Sequence, residues 1–157
     1  MNIAPKLRKA NVGFELDVVG KSGSKALENS VEGLSDIRLH GFVDDIDHFY
    51  QQAAIYVCPI NDGGGTKLKM LDAFANKMAV VAYPLACEGL DIIDGEHVLI
   101  AQTAADFAEK IAYLLSNSDL CTQLGDNAYQ LVSTQYNYSS IGEDLIGFYA
   151  KKLLNEN

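Results

Sequence analysis

Apolar and polar positions along this chain switch repeatedly between a period of two and a period near 3.6. Phe14-Glu15-Leu16-Asp17-Val18-Val19-Gly20 alternates and ends in glycine, which predicts a strand. Ile37-Arg38-Leu39-His40-Gly41-Phe42 repeats the pattern. Ala54–Cys58 is a short apolar run, and Ala79-Val80-Val81-Ala82-Tyr83 is wholly apolar, as a central parallel strand should be. Pro84 stops it. His97-Val98-Leu99-Ile100-Ala101 predicts a fifth strand. The intervening segments read as helices: residues 3–10 with Pro5 in the first turn, a short helix near 24–30, one from Asp44 as N-cap through Gln52, Thr66–Lys77, and one capped at Thr103 running to Leu115. Leu68, Leu71, Ala75 and Met78 should turn the Thr66–Lys77 helix toward the sheet, and Phe107, Ile111, Leu114 and Leu115 make one apolar face on the next. C-terminal helices fill 118–154, the first with Leu120, Leu124, Ala128, Leu131 and Val132 inward.

Strands that alternate with helices imply an α/β, Rossmann-like three-layer domain: a parallel sheet of about five strands, helices on both faces and right-handed crossovers. Ligands in such sheets lie beyond the C-terminal ends of the strands. The loops at 20–24, 41–45, 61–67 and 84–90 leave those ends and are expected to crowd one edge.

The most informative of these loops is Asn61-Asp62-Gly63-Gly64-Gly65-Thr66-Lys67, between an apolar strand and a run of helix formers. A helix start leaves backbone N–H groups unpaired and carries partial positive charge, and glycines let an anion come close. A phosphate-bearing ligand above Gly64, Gly65 and Thr66 is the chemical reading. A flexible connection closed by a cap fits the same glycines. Asp72 follows about one helical turn, roughly 6–9 Å, beyond Thr66 and Lys67, a span comparable to that between a diphosphate and its ribose. Its carboxylate can accept both ribose hydroxyls. Lys67 and Lys69 add positive charge there, or are simply solvated.

Composition narrows the rest. With 157 residues, 48% of them hydrophobic and 21% charged, the chain makes one globular domain. A net charge of −9 argues against general binding to nucleic acid or an anionic membrane. The three cysteines form no CxxC pair and fit reduced thiols in a cytosolic protein. The three histidines are scattered without metal-ligand spacing, and Asp44, Asp45 and Asp47 suit a helix start better than a metal site. No signal peptide and no apolar run near the roughly 18 residues needed to span a bilayer is present.

Gly63-Gly64-Gly65-Thr66-Lys67-Leu68-Lys69-Met70-Leu71-Asp72-Ala73-Phe74-Ala75, followed by Met78–Ala82, resembles the donor-site signature of the group 1 glycosyltransferases of GT-B architecture. Leu39-His40-Gly41-Phe42-Val43-Asp44-Asp45 is similar to that family's Gly-Phe-Val-x-Asp element. Cys87-Glu88-Gly89-Leu90 with Asp94–Ile100 is similar to its Glu-Gly-Leu and Asp-Gly-Glu-Asn elements. Their order and spacing together are specific, and the likeness runs from Phe14 through nearly the whole chain. The resemblance implies a C-terminal, donor-nucleotide domain over 1–157. It would lack its own first strand and the N-terminal acceptor domain, and would be inactive alone. It also implies roles. Gly64, Gly65, Thr66, Lys67 and Leu68 would give amides to the donor diphosphate, with Gly63 also in the donor-binding loop, Asp72 would bind the ribose, Gly41, Phe42 and Val43 would line the base pocket, and Gly20 and Lys21 would border the donor. The expected donor is a nucleoside-diphosphate sugar, as substrate, with no cofactor and no metal. The full enzyme would be cytoplasmic or membrane-peripheral. Surface exposed by the absent domain would favour self-association.

Departures from the pattern leave a second reading open. Many members carry two glutamates eight apart; here those positions are Gly64 and Asp72. Met78-Ala79 replaces the usual proline. A non-catalytic nucleotide-binding or interaction module derived from such a transferase therefore stands as the alternative. A phosphoryl-accepting receiver lacks its strand-end acid, and Gly20-Lys21-Ser22-Gly23 is not a full dinucleotide fingerprint.

Overall fold

A computed structural model describes residues 3–21 and 25–155. Its elements run α1 (Ala4–Lys9), β1 (Leu16–Val19), α2 (Lys25–Val31), β2 (Ile37–Gly41), α3 (Asp47–Gln52), β3 (Ile55–Cys58), α4 (Leu68–Ala75), β4 (Ala79–Ala82), a 3₁₀ turn (Pro84–Cys87), β5 (Leu99–Ile100), α5 (Ala104–Leu115), α6 (Ser118–Gln135) and α7 (Tyr138–Asn155). All strand pairings are parallel, and helices cover them in the predicted α/β arrangement. The five strands do not form one sheet, however. β1 pairs with β2, and β3-β4-β5 form a separate three-stranded sheet. No backbone ladder joins β1 to β3 among the described residues, so the expected continuous sheet is in two pieces.

β4 lies at the centre because it is apolar on both faces. Val80 and Ala82 pack with Met70, Ala73 and Phe74 of α4 and Ala128 of α6. Ala79 and Val81 pack with Leu7 of α1 and Phe107, Ala108, Ile111 and Leu114 of α5. That gives three layers. α1 also reaches the smaller sheet: Arg8 makes two 2.6 Å hydrogen bonds to the Asp36 carboxylate just before β2. α3 spans the same interval, with Phe49 edge-on to His40 of β2 and Tyr50 against Tyr56 of β3.

Several boundaries differ from expectation for identifiable reasons. The cap of α3 is not Asp44: the Asp45 carboxylate accepts from the amides of Asp47 and His48, so the helix begins later. α4 spans eight residues and presents Met70, Ala73 and Phe74 to the core. Leu68 is 69% exposed and Ala75 is exposed, because a start at Leu68 turns the Met70 row inward instead. Leu115 is likewise on the outside of α5. β5 is short because residues 93–98 are spent in a turn, where the His97 ring nitrogen Nδ1 accepts from the Ile93 amide and Gly95 donates to Val98. α7 leaves Tyr138, Ile141, Leu145, Ile146, Phe148 and Tyr149 exposed.

Candidate functional site

The glycine loop lies where the sequence places it, between the C-terminal end of β3 and the N-terminus of α4. Its conformation depends on glycine at two points: Gly63 has φ +93° and Gly65 φ +80°, with Gly64 between them on the ordinary side. Asp62 accepts from the Gly63 amide at 2.8 Å and fixes the entry. Lys67 fixes the exit. Its ammonium donates to the carbonyls of Gly63, Gly64 and Gly65 at 3.0, 3.0 and 2.9 Å.

No side chain among the described residues caps α4. Met70 donates to the Lys67 carbonyl, but the amides of Thr66, Lys67, Leu68 and Lys69 find no hydrogen-bond acceptor among the described residues. Four free donors at the positive end of a helix can bind an anion. Lys69 is exposed and has no hydrogen-bond or ion-pair partner among the described residues. Lys69 and Lys67 both act on the Cys58 thiol, opposing the rise that burial imposes on it. Asp72 is exposed on the second turn of α4. Its charge reaches Tyr50 and Tyr56, whose hydroxyls are pushed up chiefly by burial and further by Asp72.

Two close contacts join these loops in pairs. Gly20 donates to the Gly41 carbonyl at 2.8 Å, which joins the loops after β1 and β2. Gly89, at φ +77°, lies so close to Thr66 that a Cβ there would be 2.8 Å from the threonine Oγ1. That joins the 3₁₀ segment to the glycine loop. Phe42 is 77% exposed, Val43 is half-buried and Lys21 exposed, and residues 22–24 lie outside the described residues. Beside the loop, a cavity of about 440 Å³ is lined by Asn61, Tyr83, Pro84, Leu85, Gln102, Thr103 and Ala104. No group of three or more His, Cys, Asp or Glu able to hold a metal occurs among the described residues, and no helix there is long and apolar enough to cross a membrane.

Sequence reasoning missed three things at this site. The approach of Gly89 to Thr66 is a tertiary contact that no local pattern announces. The tyrosines around Asp72 come from α3 and β3. The Lys67 tripod could have been suspected only from a cation placed two to four residues after three glycines.

Residues 1–117 match the family described as glycosyl transferases, group 1. The chain belongs to the group 1 glycosyltransferases. Among group 1 structures, the C-terminal domain of the glycosyltransferase LpcC from Francisella tularensis superposes with a TM-score of 0.70 at 28% identity, over 87% of this chain and 76% of that one. A glycosyltransferase from Rickettsia africae shares the fold with a TM-score of 0.80 at 20% identity, over 97% of this chain but 44% of its own. So does Anabaena HepE, solved with UDP and glucose, with a TM-score of 0.80 at 13% identity. A curated relative, a 44.6 kDa protein of the cps region of Klebsiella pneumoniae, is 24% identical over 88% of this chain. The chain spans 38% of that relative's length.

Proposed function

We infer that this chain is the donor-binding half of a glycosyltransferase that moves a sugar from a nucleoside-diphosphate sugar to an acceptor. The observation that carries the reading is the start of α4: four amides and a Lys69 that have no partner among the described residues and, one turn on, the exposed Asp72. Positive groups and free donors there would take the two phosphates, and Asp72 the ribose hydroxyls. The base would extend toward the Gly20 and Gly41–Val43 loops. Fixed amides at a helix start stabilise the negative charge that grows on a leaving diphosphate, and they are already oriented before the reaction begins. The sharing of fold with Anabaena HepE, solved with UDP and glucose, supports the ligand class. The reading places the acceptor site on a second domain, so this chain alone should not turn over.

Titration calorimetry with UDP, GDP and ADP tests it. One of the three should bind, and Asp72→Ala should weaken that nucleotide by about tenfold, as expected when a charged hydrogen-bond acceptor is removed. It should leave inorganic pyrophosphate unaffected. Heat from none of the nucleotides would refute the assignment. The alternative, a non-catalytic nucleotide-binding module, is kept by Gly64 standing where many members carry an acid. Assembled with an acceptor domain, a non-catalytic module binds nucleotide yet never releases it from a nucleotide-sugar.

A further inference from the structure

Lys67 and Lys69 are two residues apart and both flank the glycine loop, yet their surroundings differ completely. A lysine ammonium has three N–H donors and no acceptor. At Lys67 all three are used, one each on the carbonyls of Gly63, Gly64 and Gly65. At Lys69 no donor has a partner among the described residues. The left-handed φ values of Gly63 and Gly65 accompany the convergence of the three carbonyls on one point. Three carbonyl oxygens aimed together repel one another, and would repel a phosphate, unless a cation sits among them. The ammonium of Lys67 is that cation.

Resting on the diphosphate reading above, we propose that the two lysines divide the work. Lys67 is a positioning residue: its ammonium holds the loop carbonyls inward and makes no bond to the ligand. Lys69 is the side chain that pairs with the diphosphate. Charge alone does not suffice at position 67, because a planar guanidinium cannot present a tripod of donors to three converging oxygens. At position 69 charge is what counts, and arginine serves as well.

NMR on the free chain and calorimetry with UDP, GDP, ADP and inorganic pyrophosphate separate the roles. In the wild type, the Lys67 ammonium gives a nitrogen–proton signal protected from water exchange, and it keeps its position when the binding nucleotide is added. Lys67→Met and Lys67→Arg both lower the backbone order parameters of Gly63–Thr66 in the ligand-free chain and weaken the nucleotide by about tenfold, the loss expected when a preorganised loop must be ordered on binding. Lys69→Met leaves the loop order unchanged, weakens nucleotide and pyrophosphate by about tenfold and flattens the salt dependence; Lys69→Arg restores both. Unchanged loop order in Lys67→Met, or wild-type loop order and affinity in Lys67→Arg, overturns the positioning role. Full pyrophosphate affinity in Lys69→Met overturns the other half. If neither nucleotides nor pyrophosphate bind the wild type, the diphosphate reading and the role of Lys69 fall together, while the ligand-free order parameters still decide Lys67.

Discussion

Gly125 sits in the middle of α6, where glycine ordinarily weakens a helix. Intrinsic propensity alone says that Gly125→Ala should stabilise by about 1 kcal/mol. The structure says the opposite. A Cβ at Gly125 would stand 2.0 Å from the carbonyl oxygen of Lys77 and 2.8 Å from its carbon. Non-bonded carbon contacts settle near about 3.5 Å, so the two backbones would have to part by more than about 1 Å. The obstacle is main chain, which no rotamer change removes. Lys77 itself has φ +55° at the turn from α4 into β4, and α6 grips it further, with Asp126 taking its ammonium at 2.8 Å and Tyr129 beneath it. Overpacking of this kind costs about 3 kcal/mol, the upper end of the usual range. Against the propensity gain, a net loss of about 2 kcal/mol remains, or about 4–8 °C in Tm for a domain of this size. Gly142→Ala is the internal control: it is also helical, and its added Cβ meets nothing within 4 Å, so it should hold or raise Tm. Scanning calorimetry on both variants decides. A Tm for Gly125→Ala equal to or above wild type would refute the close-packing argument.

Other outcomes follow from single contacts. Thr103 Oγ1 accepts from the Asp106 amide at the start of α5, so Thr103→Ala should cost about 1 kcal/mol in urea unfolding, and Thr103→Ser very little. The Asp36 carboxyl is held below the usual carboxylate range by its hydrogen bonds to Arg8, and Asp106 by its bond to Lys110. A depressed folded pKa gives stability that is present above the ordinary carboxylate range and lost as pH falls through the depressed value. The urea midpoint of wild type should therefore exceed that of Asp36→Asn at neutral pH, and the two should converge in acid; a constant gap down to the lowest pH would contradict the Arg8–Asp36 geometry. Burial pushes the thiols of Cys58, Cys87 and Cys121 up, Cys87 to about 11. A disulfide reagent near pH 8 should therefore label the native chain slowly, starting at the half-exposed Cys121, with all three reacting at once in denaturant. Rapid native labelling of Cys87 would contradict its placement in the core.

How much of this was legible in the sequence depends on the range over which each feature is determined. The strands and helices were, because apolar periodicity and Pro84, Thr103 and the glycines act within a few residues. β4 was placed at the centre from four apolar side chains in a row, and its two faces do divide between α4 with α6 and α1 with α5. Helix rotation was less legible. Leu68 satisfies the apolar spacing of α4 as well as Met70 does, and only the position of the first helical residue decides which of them faces inward. Strand order was not legible at all: nothing in the sequence of β1 or β3 states whether they share a ladder. At the site, the glycine loop, Thr66 and Asp72 came from local pattern, and local pattern left Lys67 and Lys69 as charges that either serve the loop or are simply solvated. It cannot separate Lys67 from Lys69, since both are lysines at a helix start. The separation comes from main-chain geometry, where Gly63 and Gly65 turn three carbonyls onto one ammonium, while the next lysine has no partner among the described residues. The same glycines that read as an opening for an anion thus also build a seat for a cation. The net field at the start of α4 depends on both, because the helix-start amides there stand beside a carbonyl cluster already neutralised from within.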